Sequence, residues 1–456
     1  MDTLRNALRA KYMEQAVAAF DELMLWQEGH GGARLLEMEE VIGRLKVDIA
    51  RALLESVLVL RQAEEQGAVV PECAGCGAPL HYKGQKKKRI VTTAGEVDWE
   101  RSHYYCEKCK GGVFPLDQKL GIVREAWSEG IAKGVCRLAA RMPFQQAAAD
   151  YEALTQVGIS AKSVERLAHA YGEALVEQRT QEAVRGWQPP AAGAVPLPPR
   201  DAARRRGVSL DGAMIHLRRE GWKEVKVGSF FDFEGGKVRK GSAGGEYQAR
   251  TFDTTYSVWL GSVDEFGPLQ WAEAQRRGVD WAQETVCVSD AAAWIEGLTQ
   301  TCYPKATRIV DWWHACEHIW TVAKAVHGEG TKQAKAWAQA RIDELWAGKW
   351  SPFEEAFQTL QPSNAGTKLL EKEERFFRTH RKRMDYPRYR ALGLPIGSGS
   401  VESACKNIVG ARCTQSGMRW TGQGAQAILF LRTELLSERW NEAWELAYQQ
   451  PAPNVT

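Results

Sequence analysis

Two Cys-x2-Cys pairs, Cys73/Cys76 and Cys106/Cys109, stand 29 residues apart, and no other feature of the chain restricts its folding so tightly. Two knuckles at this spacing can close a tetrahedral four-sulfur zinc site, and binding the ion then contributes folding energy directly. A redox role is the competing reading, but thioredoxin-like motifs do not come as facing pairs. The stretch RIVTTAGEVDWERSHYYCEKCKGG, from Arg89, alternates as short strands do, so residues 67–120 are expected to form a zinc ribbon. The six other cysteines, Cys136, Cys287, Cys302, Cys316, Cys405 and Cys413, are scattered singly, which suits a reducing compartment.

The 456 residues, 44% of them hydrophobic, can build several cores around that ribbon. Residues 1–66 read as two long amphipathic helices, the second with Leu35, Met38, Val41, Ile42, Leu45, Ile49, Leu53 and Val57 at helical spacing. Residues 121–185 are helical and contain a helix-turn-helix-like pair. In it Gly158 is expected to turn and Ser160 to cap. Ser163, Arg166 and His169 are expected to point outward, opposite Val164, Leu167 and Ala168. Five prolines mark residues 186–205 as an extended linker. Residues 206–326 then show three strand-like runs followed by two units of strand running straight into helix, an α/β signature. Residues 327–394 read as an all-α insertion, and 395–456 as helices that complete the same domain. The expected fold class is therefore a multidomain α/β chain with a mixed sheet.

No apolar run approaches the roughly 18 residues of a membrane span. The charged start MDTLRNALRAKYMEQAV reads as a helix rather than a signal peptide, so the expectation is a cytoplasmic protein. A net charge of +3 is too mild to demonstrate a nucleic-acid partner, but basic residues cluster in KGQKKKR and RTHRKRMDYPRYR. Lys86, Lys87, Lys88, Arg166, Arg381, Lys382, Arg383, Arg388 and Arg390 are the candidate DNA contacts, with Tyr386 and Tyr389 placed to stack on bases or sugars.

Asp211 lies in the first strand of the α/β region, Asp290 ends a later one, and Glu402 starts the last helix, which Ser400 could cap. Side chains at strand ends and helix starts converge on one sheet edge. Three carboxylates there repel one another unless a cation neutralises them, and a hard divalent metal suits oxygen ligands. Two such ions roughly 4 Å apart can activate an attacking oxygen and stabilise a leaving one in phosphodiester chemistry.

The segments SLDG, VSDAAAWI, GSGSVESACKNIVGAR and SGMRW, with the inferred strand order and upstream zinc ribbon, resemble the DDE transposases of bacterial insertion sequences. The resemblance covers most of the chain and implies a ribonuclease H-like catalytic domain. It implies that Asp211, Asp290 and Glu402 hold two Mg2+ or Mn2+ ions, and that the chain binds double-stranded element ends and target DNA, cleaves them and transfers strands. It also implies a homo-oligomer on DNA, associated with the nucleoid, and no membrane. DWWH, Asp311 to His314, looks like the D-x2-H signature placed after the second acid, which makes Asp311 and His314 supporting residues. Asp311 is also the alternative second metal ligand. The 111 residues between Asp290 and Glu402 match only the members with a large helical insertion. Two further readings stand beside this one. One is a zinc-ribbon DNA-binding regulator with an inactive α/β domain; the other is an HxxEH zinc metallopeptidase, from HACEH at His314 to His318. GGKVRKGS, from Gly235, lacks the Lys-Ser/Thr pair of a phosphate-binding loop.

Overall fold

The computed structural model describes residues 2–66, 71–73, 75–122, 126–189, 201–238, 247–360 and 364–448. Most of the expected linker and the end of the GGKVRKGS run lie outside these. The chain divides into two compact units, Met1–Tyr171 with Ala447–Thr456, and Gly172–Leu446. The architecture is mixed α/β, and none of the described helices is long and apolar enough to cross a membrane.

The first unit begins with α1 (Asp2–Gly29) and α2 (Leu35–Gln66). α1 buries no residue, and α2 buries Val41, Leu45, Ala52 and Leu58 but leaves Leu35, Ile42, Leu53 and Val57 exposed. The expected stripe is thus only half used, because α2 turns a narrower face to the sheet. That sheet has three antiparallel strands in the order β1 (His81–Thr92), β2 (Gly95–Cys106) and β3 (Gly111–Val113). Its core joins Leu58 to Ile90, Val97, Trp99 and Leu116. A buried Arg101–Asp117 ion pair at 2.7 Å ties β2 to α3 (Pro115–Lys119).

α4 (Glu129–Ala139), α5 (Phe144–Thr155) and α6 (Ala161–Arg185) follow. α5 ends on Gln156 at φ 60°, so Gln156 rather than Gly158 supplies the left-handed turn. Ser160 accepts from the Ser163 N–H at 3.1 Å, the expected cap. Val164, Leu167 and Ala168 are buried as expected, but so is Ser163, whose hydroxyl meets that of Ser160. His169 meets Phe144 edge to face instead of pointing outward.

The second unit is built on a five-stranded sheet in the order β6-β5-β4-β7-β8. β4 (Asp201–Leu217), β5 (Gly221–Val238) and β6 (Tyr247–Leu260) are antiparallel, and β7 (Ala282–Ser289) and β8 (Thr307–Val310) add in parallel to β4. Parallel neighbours need crossover helices, supplied by α7 (Val263–Arg276) and α8 (Ala293–Cys302). Strand alternation assigns the two faces. Val208, Leu210, Phe230 and Cys287 pack under α7 and α8, whereas Phe231, Phe233, Val286 and Val288 pack under α9 (Trp312–His327).

The second core continues into the expected all-α insertion, α10 (Lys332–Ala347), α11 (Trp350–Gln358), α12 (Asn364–His380) and α13 (Tyr386–Ala391). α14 (Gly399–Ala404) then runs into a π-helical stretch, Cys405–Gly410, and on into α15 (Ala411–Cys413). α16 (Gly422–Leu436) is buried along nearly its whole length and α17 (Trp440–Tyr448) follows it, so Glu402 does not begin the last helix.

Candidate functional site

The β-sheet register brings the acids together. β4 and β7 are parallel with Val208 opposite Cys287, and three residues further along each strand come Asp211 and Asp290. β7 and β8 are parallel with Ser289 opposite Val310, so the next residue on β8, Asp311, stands level with Asp290. Asp290 caps its own turn by accepting the Ala292 N–H at 2.9 Å, and Ala291 between them has φ 70°. A non-glycine residue held there marks a sharp strand-to-helix bend immediately after Asp290.

Glu402 on α14 and Cys405, the first residue of the π-helical stretch, stand about one helical turn apart. The Cys405 thiol donates to the Asp211 carboxylate at 3.6 Å. Burial raises the Asp211 pKa above the ordinary carboxyl value, and the charges of Asp290 and Glu402 raise it further. The Gly212 N–H, 2.7 Å away, works in the opposite direction. None of the three acids forms an ion pair among the described residues, although each is half-buried. Among the described residues only the four cysteines bring three or more ligand atoms close enough together for one metal, so the three acids are not gathered into a single cluster of that kind. Such an uncompensated set fits a divalent cation with oxygen preference.

Asp311 is different. It is 2% exposed, one carboxylate oxygen accepts the His314 N–H at 2.6 Å as the α9 cap, and the other accepts the Ser398 N–H at 2.5 Å. Burial first, and then Glu402, raise its pKa. Ser398 in turn donates its hydroxyl to Glu402 at 3.1 Å, so Asp311 anchors the turn that carries Glu402. α14 begins at Gly399, and Ser400 does not cap it; the Ser400 hydroxyl is hydrogen-bonded to Ser229 on β5. Beside this turn opens a cleft of about 610 Å³ lined by Tyr247, Thr251, Tyr256, Trp313, Ser400 and Ser403. Trp313 is 58% exposed.

In the first unit Cys73, Cys76, Cys106 and Cys109 have their sulfurs within 4.8 Å of one another. Cys73 and Cys109 are 3.8 Å apart, Cys76 and Cys106 3.5 Å. The Cys109 N–H donates to Cys106 and lowers that thiol to about 7, while the neighbouring sulfurs push the Cys109 thiol up to about 12. This cluster is compatible with a structural metal such as zinc.

The basic candidates divide by burial. Lys86 and Lys87 are exposed on β1 with Lys88 half-buried, Arg166 is exposed on α6, and Arg381, Lys382 and Arg388 are exposed around α13. Arg383 is ion-paired with Glu296 and bonded to His380, and Arg390 stacks on Trp346 at 3.7 Å while donating to its carbonyl. Those two are internal fasteners, not surface charges. Tyr386 and Tyr389 are buried as well, donating to the carbonyls of Val310 and Lys382. They cannot stack on a nucleic acid, because the amphipathic α13 turns both rings into the insertion core.

His314 and His318 face each other on α9, and Glu373 of α12 meets the far nitrogen of His318; among the described residues no third ligand is gathered with the pair. Sequence reasoning missed Ser398, Cys405, Trp313 and Glu373. Ser398 and Cys405 flank Glu402 and could have been found by helical spacing; Glu373 had no local signal.

Residues 30–188 match a family described as an uncharacterised protein family (UPF0236). No curated protein matches the chain. The matched span runs from α2 through α6 and includes the four cysteines, but it ends before β4 and all three acids.

Proposed function

We propose that the chain is a DDE-type transposase of a bacterial insertion sequence, which binds the element ends and catalyses metal-dependent DNA cleavage and strand transfer. The observation that carries this reading is the parallel register that levels Asp211 with Asp290, together with the bond from Cys405, three residues after Glu402, to Asp211. The strand order β6-β5-β4-β7-β8 supports a ribonuclease H-like domain, and α10 to α13 fit the helical insertion that the resemblance requires. Two Mg2+ or Mn2+ ions would supply Lewis-acid activation of the attacking oxygen and charge stabilisation of the leaving one. Asp211, Asp290 and Glu402 are the hard ligands for them. Asp311 has spent both oxygens on backbone N–H groups, which makes it an anchor for the Glu402 turn rather than a ligand. The aromatic and hydroxyl lining of the cleft beside that turn suits a DNA strand, with Trp313 available for stacking. Double-stranded DNA and further copies of the chain are the proposed partners.

The test is single-turnover cleavage of labelled DNA from the flanks of the gene in Mg2+. Asp290→Asn and Glu402→Gln should abolish nicking and leave DNA binding intact. Asp311→Asn should lose about 10- to 100-fold, as residues that orient a ligand do. Cleavage by Asp290→Asn with a dead Asp311→Asn would transfer the ligand role to Asp311. A wild-type chain that binds this DNA and never nicks it would replace the enzyme with a DNA-binding regulator.

A further inference from the structure

α9 and α12 bring together a group of which the transposase reading uses only His314, as a supporting residue. The rings of His314 and His318 meet edge to face with centroids 4.6 Å apart, and their Nε2 atoms are 3.0 Å apart. Each remaining nitrogen faces an acid. His318 Nδ1 is hydrogen-bonded to Glu373, which is 1% exposed, and His314 Nδ1 lies 3.5 Å from Glu317. Phe376 stacks on the His318 ring at 3.7 Å and fixes its plane. Lys372, 3.8 Å from Glu373, and His380 on the same helix are the other charged or titratable neighbours.

A neutral imidazole carries a single N–H. In a neutral His318 ring the proton belongs on Nδ1, donated to the buried Glu373 carboxylate, and Nε2 presents a lone pair. That lone pair can accept the Nε2–H of His314, and a cation that displaced this proton would take both nitrogens as ligands. Metal-bound histidines characteristically donate their other N–H to a carboxylate, which fixes the tautomer and strengthens the ligand. With metal–nitrogen bonds of about 2.0–2.1 Å, two tetrahedral ligand atoms stand roughly 3.3 Å apart, a few tenths from the separation seen.

We propose that His314 and His318 form a binding site for a borderline divalent transition metal, such as Zn2+ or Ni2+, with Glu373 orienting His318 across the α9–α12 contact. Imidazole nitrogens select such ions over Mg2+, which separates this site from the three acids, and it shares no residue with the four cysteines. Two protein ligands leave coordination positions for water on the partly exposed His314 side.

Ni2+ is the probe. The untagged full chain, carrying a single equivalent of Zn2+ on its four cysteines, is dialysed against increasing Ni2+ and both metals are measured by atomic emission. Wild type should take up one Ni2+ without releasing the cysteine-bound zinc. His314→Asn and His318→Ala should lose that equivalent, and Glu373→Gln should bind it about 10- to 100-fold more weakly. His314 is partly exposed, so His314→Asn keeps the test valid if His318→Ala misfolds. Uptake by wild type no greater than by His314→Asn overturns the site, and an unchanged affinity in Glu373→Gln overturns the role of Glu373. No DNA enters the measurement, so its outcome is independent of the proposed cleavage activity.

Discussion

Asp211 is a carboxylate whose ionisation works against the folded chain. Its pKa is raised by burial, by Asp290 and by Glu402, so the folded state holds the proton more tightly than the unfolded state does. Stability therefore falls as pH rises from the unfolded value through the folded one, and stays lowered above it. Asp211→Asn removes the charge at nearly constant shape and should raise the Tm of metal-free protein by a few degrees at neutral pH. Mg2+ should raise the Tm of wild type and have a smaller effect on the variant. Calorimetry with and without MgCl2 decides this, and a variant that melts lower in both conditions would count against it. At the same scale, exposure separates the arginines. Replacing Arg381 and Lys382 with Ala should flatten the slope of log affinity against log salt by about two phosphate contacts' worth, near 0.9 each. Arg383→Ala should leave the slope alone and lower the Tm, because it removes one of the two arginines, with Arg308, that pair with the half-buried Glu296. The basic-aromatic run was legible as a cluster but not by orientation. Only the packing of α13 shows that Tyr386 and Tyr389 face inward and that Arg390 lies on Trp346.

Elements were more legible than contacts. The strand-like runs after the linker became β4 to β8 because their apolar alternation must bury two faces, and the strand-into-helix texture announced the parallel pairs. The helical stretch after Lys332 held for the same reason. Close approaches between elements left little trace. On α6, a Cβ added at Gly172 would stand 2.6 Å from the Ala427 carbonyl oxygen of α16, a backbone atom with little room to yield. Gly172→Ala should accordingly destabilise by about 1–3 kcal/mol despite the better helix propensity of alanine, as overpacking does. Urea unfolding followed by tryptophan fluorescence measures it, and a variant at least as stable as wild type would show that the two helices can part freely. Likewise the π-helical stretch after Glu402 has no signature in CKNIVG. It is visible only in the Ala411 N–H reaching back to the Lys406 carbonyl.

Across the whole molecule, the division into two units predicts how metal removal should act. Cysteine-bound metal would contribute folding energy only to the three-stranded sheet and its surroundings. Stripping it with a chelator should open amide protection in residues 71–122 and leave that of β4 to β8 intact, read by hydrogen exchange. Loss of protection throughout the second unit would contradict this. The acids were recognisable from their places at strand ends and a helix start. Their supports were not, because Asp311 with Ser398, and His318 with Glu373, meet only after long stretches of chain have closed. That closure sets an order in time. Asp211 and Asp290 stand on neighbouring strands laid down early, whereas Glu402 follows α10 to α13, and the π-helical stretch behind it is held by Arg432 of α16 donating to the Asn407 carbonyl. A copy still emerging from the ribosome therefore carries two acids and no third. On the proposed reading, an interrupted message yields a chain that cannot cut the DNA it encounters.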